Sequence, residues 1–209
     1  MGTPRLGLIG VLCGILLLGT ACEPLDQVPG GGAGQGEAVG QLDKLTVAPW
    51  GSMARYSRDR FPHWSRQDGG CDTRDIVLQR DGEGVITTAE CAITRGTWLS
   101  PYDGRTVSDP QDLDIDHMVP LANAWRTGAS AWTDAERKRF ANDLDSPELI
   151  AVTSGTNRSK GDQDPSQWMP PRRDFWCAYA QSWIAVKSHW RLSVTAAEKV
   201  ALTDMLGSC

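Results

Sequence analysis

The sequence predicts an α+β fold in one globular domain. Leu113 to His117 alternates apolar and polar side chains, the period of a short strand, whereas the apolar and aromatic residues between Phe175 and Trp190 recur at helical spacing. A chain of 209 residues can enclose one sizeable core but is short for two domains. With 40% hydrophobic residues, the composition gives no indication of a fibrous, repeat or multi-pass membrane protein.

The first 21 residues differ from the rest and predict a signal peptide. Leu6 to Leu18 is an apolar run too short to span a bilayer comfortably, and Arg5 is the one charged residue before Cys22. Small residues precede Cys22 and resemble a bacterial lipobox, so we expect lipidation of Cys22; cleavage near Ala21 and free secretion is the alternative. Residues 22–42 are Gly-rich and predict a flexible tether before a folded domain at residues 43–209.

The cysteines of the folded domain form an even set, which in an exported chain predicts two disulfides. Four cysteines allow three connectivities, and the sequence does not choose among them. We favour Cys71–Cys91, because residues 76–87 between them have the pattern of a β-hairpin, and this leaves Cys177–Cys209. A zinc site is the competing interpretation, although the chain contains no CxxC pair.

The remaining elements are predicted from local signals. Leu113–His117 should be a strand that carries Asp114 and Asp116 on one face, since alternate strand residues share a face. The capping box at Thr133–Glu136 should open a helix that runs to about Leu144. The further predicted elements are a short helix over 120–126, a strand over Glu148–Thr153, a helix starting near Asn157, the long helix of Phe175–Trp190, and a last helix from Thr195 to Gly207.

The net charge of −5 is acidic, which is unusual for a protein that binds nucleic acid. The charge is uneven, however, because Ala151 to Arg191 contains six basic residues and three acidic ones. Local sign matters more than the total at a cleft that faces phosphates. The alternative interpretation of this segment is a basic helix face exposed to solvent. Arg58, Arg60, Arg66 and Arg74 could form a second patch that contacts phosphates, or they could serve only to keep the protein soluble.

Two short motifs contain residues suited to phosphodiester hydrolysis. This reaction needs a base that deprotonates water near neutral pH and a cation that neutralises charge on the phosphate. Asp116 and His117 are adjacent, and Asn157 and Lys160 follow about forty residues later. A divalent ion held by carboxylate and amide oxygens would provide the cation, and a neighbouring histidine would provide the base.

The wider motifs resemble the HNH (ββα-metal) endonuclease superfamily. Asp114-Ile115-Asp116-His117-Met118-Val119-Pro120 resembles the D-x-D-H-[IV]-[IV]-P half of its motif, and Asn157-Arg158-Ser159-Lys160-Gly161 resembles the N-R-x-K-G half. The resemblance covers residues 112–165 and extends over most of the chain for a secreted branch of HNH endonuclease-like proteins. It implies a ββα-metal (His-Me finger) core with added helices and the disulfide-closed N-terminal hairpin.

The resemblance also implies a role for each matching residue. Asp116 and Asn157 would bind one divalent ion, typically Mg²⁺, with Mn²⁺, Ni²⁺ or Zn²⁺ as alternatives, and His117 would be the general base. Lys160 and Arg158 would lie near the scissile phosphate, and Asp114 would support the metal ligands. Many HNH sites place an Asn or His on the second strand to orient the base. This chain has Glu148 there, so Glu148 or a nearby backbone carbonyl is expected to hold His117.

We therefore expect an exported, metal-dependent endonuclease that hydrolyses DNA, or RNA as well, with little sequence specificity. No separate DNA-reading motif is present to provide base specificity. The alternative is a cell-surface binding lipoprotein on a catalytically inactive HNH scaffold. The other two histidines, His63 and His189, are expected to be structural or surface residues.

Overall fold

The computed structural model describes residues 1–2, 34–67 and 69–209 and shows a mixed α+β fold, with a three-stranded and a two-stranded sheet. The α+β class expected from the sequence is confirmed. Within these residues, no helix has the length and apolar character needed to cross a membrane. The predicted signal peptide beyond its first two residues, Cys22, and the first part of the predicted tether lie outside the described residues.

Short helices and strands are interspersed along the chain. The helices are α1 (Gln35–Lys44), α2 (Thr73–Asp81), α3 (Leu121–Thr127), α4 (Asp134–Ala141), α5 (Ser154–Lys160), α6 (Trp176–His189) and α7 (Ala196–Leu206). The strands are β1 (Gly82–Thr87), β2 (Ile93–Leu99), β3 (Thr106–Val107), β4 (Leu113–His117) and β5 (Leu149–Thr153). Short 3₁₀ turns lie at Arg58–Arg60, Pro110–Asp112, Ala129–Ala131 and Arg173–Phe175.

Helix α1 includes residues 35–42, which were expected to belong to the flexible tether. Ala38 and Leu42 are one helical turn apart and are both buried in the core against α6 and α7. The Gln35 side chain also donates a hydrogen bond to the Leu206 carbonyl at 2.9 Å. Residues 35–44 are therefore packed into the large core, because two apolar residues at helical spacing anchor the helix there.

The predicted hairpin over residues 76–87 is wrong in its first half. Residues 73–81 form α2, which starts at a capping box in which the Asp72 and Asp75 carboxylates each accept the other residue's backbone N–H. Val77 and Leu78 are buried, and each contributes roughly 1.5–3 kcal/mol of burial energy. The hairpin that exists is β1–β2, with antiparallel pairing, and Cys91 lies in its turn.

Both favoured disulfides are present in the structure. Cys71–Cys91 joins the start of α2 to the turn of the β1–β2 hairpin, and Cys177–Cys209 joins α6 to the C-terminal residue. The first bond closes a helix-plus-hairpin unit rather than a simple hairpin. The zinc interpretation of these four cysteines is therefore not needed.

The antiparallel pair of strands β4 and β5 separates two hydrophobic cores. Its strands are antiparallel, with Asp116 opposite Ile150 and His117 opposite Leu149. Leu113 and Ile115 face a small core under α2, whereas Ile150 and Val152 belong to the large core around α6. Alternate residues therefore point into different surroundings, and this decides the environment of each residue in the Asp-x-Asp-His motif.

The other predicted elements agree with the structure except at their ends. Helix α4 begins at the Thr133–Glu136 capping box but ends at Ala141, three residues before the predicted end. Helix α5 begins at Ser154 rather than near Asn157 and ends at Lys160. Gly161 follows it, with a φ of +53° in the left-handed region that favours glycine. Three tryptophans, Trp98, Trp125 and Trp183, are buried, as expected for core residues.

Candidate active site

The two motifs meet where α5 packs against β4. Asp114 and Asp116 are two residues apart on a strand, which places them about 6.6 Å apart along one face. Asn157 and Lys160 are three residues apart on a helix and share one face, with about 4.5 Å between them along the axis. These similar spacings allow two side-chain pairs to form in register: Asn157 with Asp114, and Lys160 with Asp116.

Asp116 is buried and is held by two donors. The Lys160 ammonium lies 2.7 Å from Asp116 Oδ2, and the Tyr102 hydroxyl donates to the same oxygen at 2.6 Å. Lys160 also donates to the His117 carbonyl at 2.8 Å. Burial raises the pKa of Asp116, while the Lys160 charge, the largest opposing influence, lowers it. Asp116 and Lys160 thus form a buried ion pair at the end of β4.

Asp114 and Asn157 form the more accessible pair. The Asn157 amide donates from Nδ2 to Asp114 Oδ2 at 3.0 Å, and the Ser154 hydroxyl donates to Asp114 Oδ1 at 3.0 Å. All three side chains are partly exposed. Asp114 therefore links the strand directly to Asn157.

His117 points to the opposite face of β4 from both aspartates. Its Nε2 atom lies 3.1 Å from the Ala141 carbonyl at the end of α4. The Trp64 ring stacks on the imidazole, with 5.8 Å between ring centroids and 27° between planes. His63 approaches edge-on, with ring centroids 6.2 Å apart. The imidazole is thus enclosed by the end of α4 and by the chain before α2.

These contacts determine the protonation state of His117. Burial lowers its pKa to about 3, with smaller lowering influences from the charges of Arg58, His63 and Lys160. The ring is therefore neutral near pH 7. Because a carbonyl can only accept a hydrogen bond, the proton of the neutral ring is on Nε2, and the Nδ1 lone pair is the atom that can accept a proton.

Glu148 does not contact the imidazole. It is fully buried, and its Oε2 atom accepts the Val119 backbone N–H at 3.0 Å, which fixes the chain after His117. Burial raises the pKa of Glu148 well above its usual range. The imidazole is held by a backbone carbonyl, but this carbonyl belongs to Ala141 on α4 and not to a residue near Glu148.

The two residues expected near the phosphate differ in location. Arg158 is exposed on α5 and free of the core, as the expectation requires. Lys160 is fully buried, with its ammonium against Asp116, so in this arrangement it does not meet solvent-borne phosphate. The reason is helical spacing: the residue three positions after Asn157 faces the strand, whereas the residue directly after it faces solvent.

The four arginines expected as a second phosphate-contacting patch have different partners in the structure. Arg74 donates to the Pro110 and Leu113 carbonyls, which is a structural role. Arg60 lies over the Trp125 ring at 5.4 Å and within 3.9 Å of Asp134. Arg66 lines a polar cavity of about 510 Å³ together with Lys138 and Arg139. Of the four arginines, only the charge of Arg58 is near enough to act on His117.

Three residues of the site could not be found from the motifs. Tyr102, Trp64 and His63 lie outside both motifs and are distant in sequence from Asp116 and His117. His63 in particular was expected to be a packed or surface residue, whereas its ring is next to that of His117. Their contacts depend on how the chain before α2 folds back over β4.

The residues can be compared with what a divalent ion requires. Carboxylate and amide oxygens of Asp116, Asp114 and Asn157 are the donors that Mg²⁺ prefers. The Lys160 ammonium at 2.7 Å shows that the Asp116 carboxylate can hold positive charge in this position. Lys160 is also a competitor for that oxygen. Among residues 34–67 and 69–209, no three His, Cys, Asp or Glu side chains are grouped closely enough to hold a metal ion.

Comparison with known proteins gives the family of the chain. Residues 79–205 match the family model of GmrSD restriction endonucleases, C-terminal domain. The chain belongs to this family. The match confirms the recognition of an HNH-containing endonuclease family from the two motifs. It spans β1 to α7 and includes Tyr102, Asp116, His117, Asn157 and Lys160, whereas Arg58, His63 and Trp64 precede it.

The chain also has a close relative of known sequence. An uncharacterized secreted protein of Arthroderma benhamiae (strain ATCC MYA-4681 / CBS 112371) is 55% identical over 168 residues, which cover 80% of this chain and 82% of that protein. No solved structure matches the chain. The GmrSD C-terminal family therefore supports a nuclease-like domain.

Proposed function

We propose that this member of the GmrSD C-terminal family is an exported, metal-dependent endonuclease that hydrolyses phosphodiester bonds, with DNA as the expected substrate. The observation that carries the proposal is His117: a neutral imidazole, fixed through Nε2 and able to accept a proton at Nδ1, directly after the carboxylate of Asp116. The motif order and the paired β4–α5 contacts agree with a ββα-metal core.

The residues would act in the following way. His117 Nδ1 takes a proton from water, the resulting hydroxide attacks phosphorus, and the phosphorus–oxygen bond to the leaving sugar oxygen breaks. Arg158 is exposed and can contact a phosphate oxygen. A divalent ion held by Asp116 and Asn157 would stabilise charge on the phosphate and on the leaving oxygen. Asp114 and Tyr102 hold these ligand side chains in place.

Export is part of the proposal. The chain begins with a segment typical of a signal peptide, it forms two disulfides, and its Arthroderma benhamiae relative is named as a secreted protein. Disulfides persist in oxidising compartments outside the cytosol. Lipidation of Cys22 would add a membrane anchor. A Cys22→Ser variant expressed with its leader would then move from the membrane fraction to the medium, and an unchanged distribution would contradict the anchor.

The alternative of an inactive binding protein has one supporting observation. The Lys160 ammonium bonds to Asp116 Oδ2, an oxygen on which the proposed metal would depend. A scaffold that binds nucleic acid without turnover would tolerate this contact permanently. In an active enzyme, the divalent ion must share Asp116 Oδ2 with the Lys160 ammonium or displace the ammonium from it.

Nicking of supercoiled plasmid distinguishes these functions. The oxidised protein from residue 34 onward should nick plasmid with Mg²⁺ or Mn²⁺ and lose this activity in EDTA. His117→Ala and Asn157→Ala should each abolish nicking, whereas His189→Ala, at an exposed histidine on α6, should not. Plasmid binding without nicking under every divalent ion, in folded protein, would overturn the nuclease proposal and favour the binding protein.

A further inference from the structure

The chain before α2 forms one wall of the His117 environment. Trp64 covers one face of the imidazole, and His63 packs edge-on against both Trp64, at 5.0 Å between centroids, and His117. These residues lie outside the part of the chain that matches the GmrSD C-terminal family. The Asn157 side chain, by contrast, bonds to Asp114.

We propose that Trp64, supported by His63, is a positioning residue that fixes the plane of the His117 imidazole for proton transfer. The inference rests on the proposed function, in which His117 is the general base. A hydrogen bond from Nε2 to the Ala141 carbonyl fixes one atom of the ring but leaves rotation about that bond free. A stacked aromatic ring removes this freedom, because the imidazole can tilt only by losing its contact with Trp64.

The backbone at Trp64 supports a dedicated role. Trp64 has a φ of +57°, in the left-handed region that bulky L residues rarely adopt and that costs roughly 1–2 kcal/mol. Without compensation, a residue in an ordinary turn would relax out of this conformation. Strained backbone of this kind concentrates where the surrounding structure needs a side chain in one place. Here the strain directs the indole onto His117.

Asn142 ties the wall to the end of α4. Its Oδ1 atom accepts the Ser65 backbone N–H at 2.8 Å, and its Nδ2 atom donates to the Pro62 carbonyl at 2.8 Å. The residue before it is Ala141, whose carbonyl holds His117. The two restraints on the imidazole, one from the Trp64 ring and one from a carbonyl, are therefore joined through a single side chain.

The chain contains a second His-Trp dipeptide that serves as a matched control. His189 and Trp190, at the end of α6, also pack edge-on, with 5.4 Å between ring centroids. Trp190 packs into the large core against Trp132 and Phe140. The same local pair is thus structural at one place in the fold, whereas at His63–Trp64 it borders the reactive ring.

The test compares steady-state cleavage by Trp64→Ala, Trp64→Phe, His63→Ala and His189→Ala. Trp64→Ala should lower kcat by roughly 10- to 100-fold, the loss expected from a misplacement of about 1 Å, with little change in KM. Trp64→Phe, which keeps an aromatic face, should restore most of kcat. His63→Ala should give a smaller loss than Trp64→Ala, and His189→Ala should match the wild type.

Two further measurements distinguish a positioning role of Trp64 from a general loss of packing and from the absence of nuclease activity. Trp176→Ala removes a half-buried indole elsewhere, so it reports the effect of lost packing alone on kcat. Side-chain ¹H–¹⁵N spectra should show the Nε2–H tautomer of His117 in the wild type and in Trp64→Phe, and mixed tautomers in Trp64→Ala. This measurement needs no activity.

The outcomes are distinct. If His117→Ala abolishes cleavage while Trp64→Ala keeps the wild-type kcat, the inference fails and the proposed function stands. If the wild type cleaves nothing, the proposed function fails, and unchanged His117 spectra in Trp64→Ala would then overturn the positioning of the ring as well.

Discussion

Replacing Lys160 with Met tests whether the ion pair with Asp116 is as buried as its geometry shows. Methionine keeps most of the aliphatic volume but removes the ammonium that lies 2.7 Å from Asp116 Oδ2 and 2.8 Å from the His117 carbonyl. Among the residues that the structure describes, the Tyr102 hydroxyl would then be the remaining hydrogen-bond donor to the Asp116 side chain. A carboxylate in this position must either stay charged without its partner or take up a proton, and both outcomes destabilise the fold.

The expected magnitude follows from the burial of the two side chains, which are 0% and 7% exposed. Removing one partner of such a pair costs about 3–5 kcal/mol of the free energy of unfolding. For a domain of this size, that loss lowers Tm by roughly 6–20 °C. The double variant Lys160→Met/Asp116→Asn should recover part of the loss, because it leaves no unpaired charge.

Lys199→Met provides the control for this prediction. Lys199 lies 3.6 Å from Asp43, with side chains 28% and 71% exposed, so its loss should cost about 0–1 kcal/mol. Urea and thermal unfolding, followed by circular dichroism in EDTA, measure both variants. If Lys160→Met is no less stable than Lys199→Met, the ammonium is not buried against Asp116 and the description of the site is wrong.

The remaining predictions concern pH, a second buried lysine and a disulfide. Because the pKa of His117 is about 3 in the folded protein and about 6.5 in the unfolded chain, the unfolded state binds more protons below pH 6.5. The contribution of the neutral His117 ring to the free energy of unfolding is therefore complete above pH 6.5 and falls by about 2 kcal/mol by pH 5. In urea titrations, the stability of His117→Phe should accordingly decrease less on acidification than that of the wild type. Identical pH profiles for the two proteins would contradict this. Lys187→Met should lower Tm as Lys160→Met does, since Lys187 pairs with buried Glu198 at 2.7 Å, but kcat of the folded protein should be unchanged. Replacing Cys177 and Cys209 with Ser should cost about 2–4 kcal/mol, and equal urea midpoints for this variant and the oxidised wild type would show that the bond does not stabilise the fold.

Local signals in the sequence were sufficient for most of the secondary structure near the site. Alternation over Leu113–His117 gave the bounds of β4, and the Thr133 capping box gave the start of α4. These features depend on neighbouring residues alone, so they can be read without knowledge of the rest of the fold. The resemblance to the HNH motif implied that the two segments would meet, and the structure brings them together as the pairs Asp114–Asn157 and Asp116–Lys160.

Prediction failed where long-range packing decides the outcome. The sequence Ile76-Val77-Leu78 is rich in β-branched and apolar residues, yet the Asp72–Asp75 capping box and a buried face make it helical. Lys160 was expected to contact substrate, and nothing in its local sequence indicates that it is buried. The ring of His117 is held by a carbonyl and an indole from segments 24 and 53 residues away in the chain, which no motif encodes.

The Mn²⁺-dependent nicking rate of His117→Ala, compared with that of His189→Ala, shows whether His117 is the general base. Both variants remove an imidazole, but only His117 combines a ring fixed through Nε2 with a place directly after Asp116 in the Asp-x-Asp-His motif. Loss of a general base should lower the rate by about 10²–10⁴-fold in His117→Ala, with wild-type nicking in His189→Ala. Equal nicking rates for the two variants would contradict the assignment of His117 as the base.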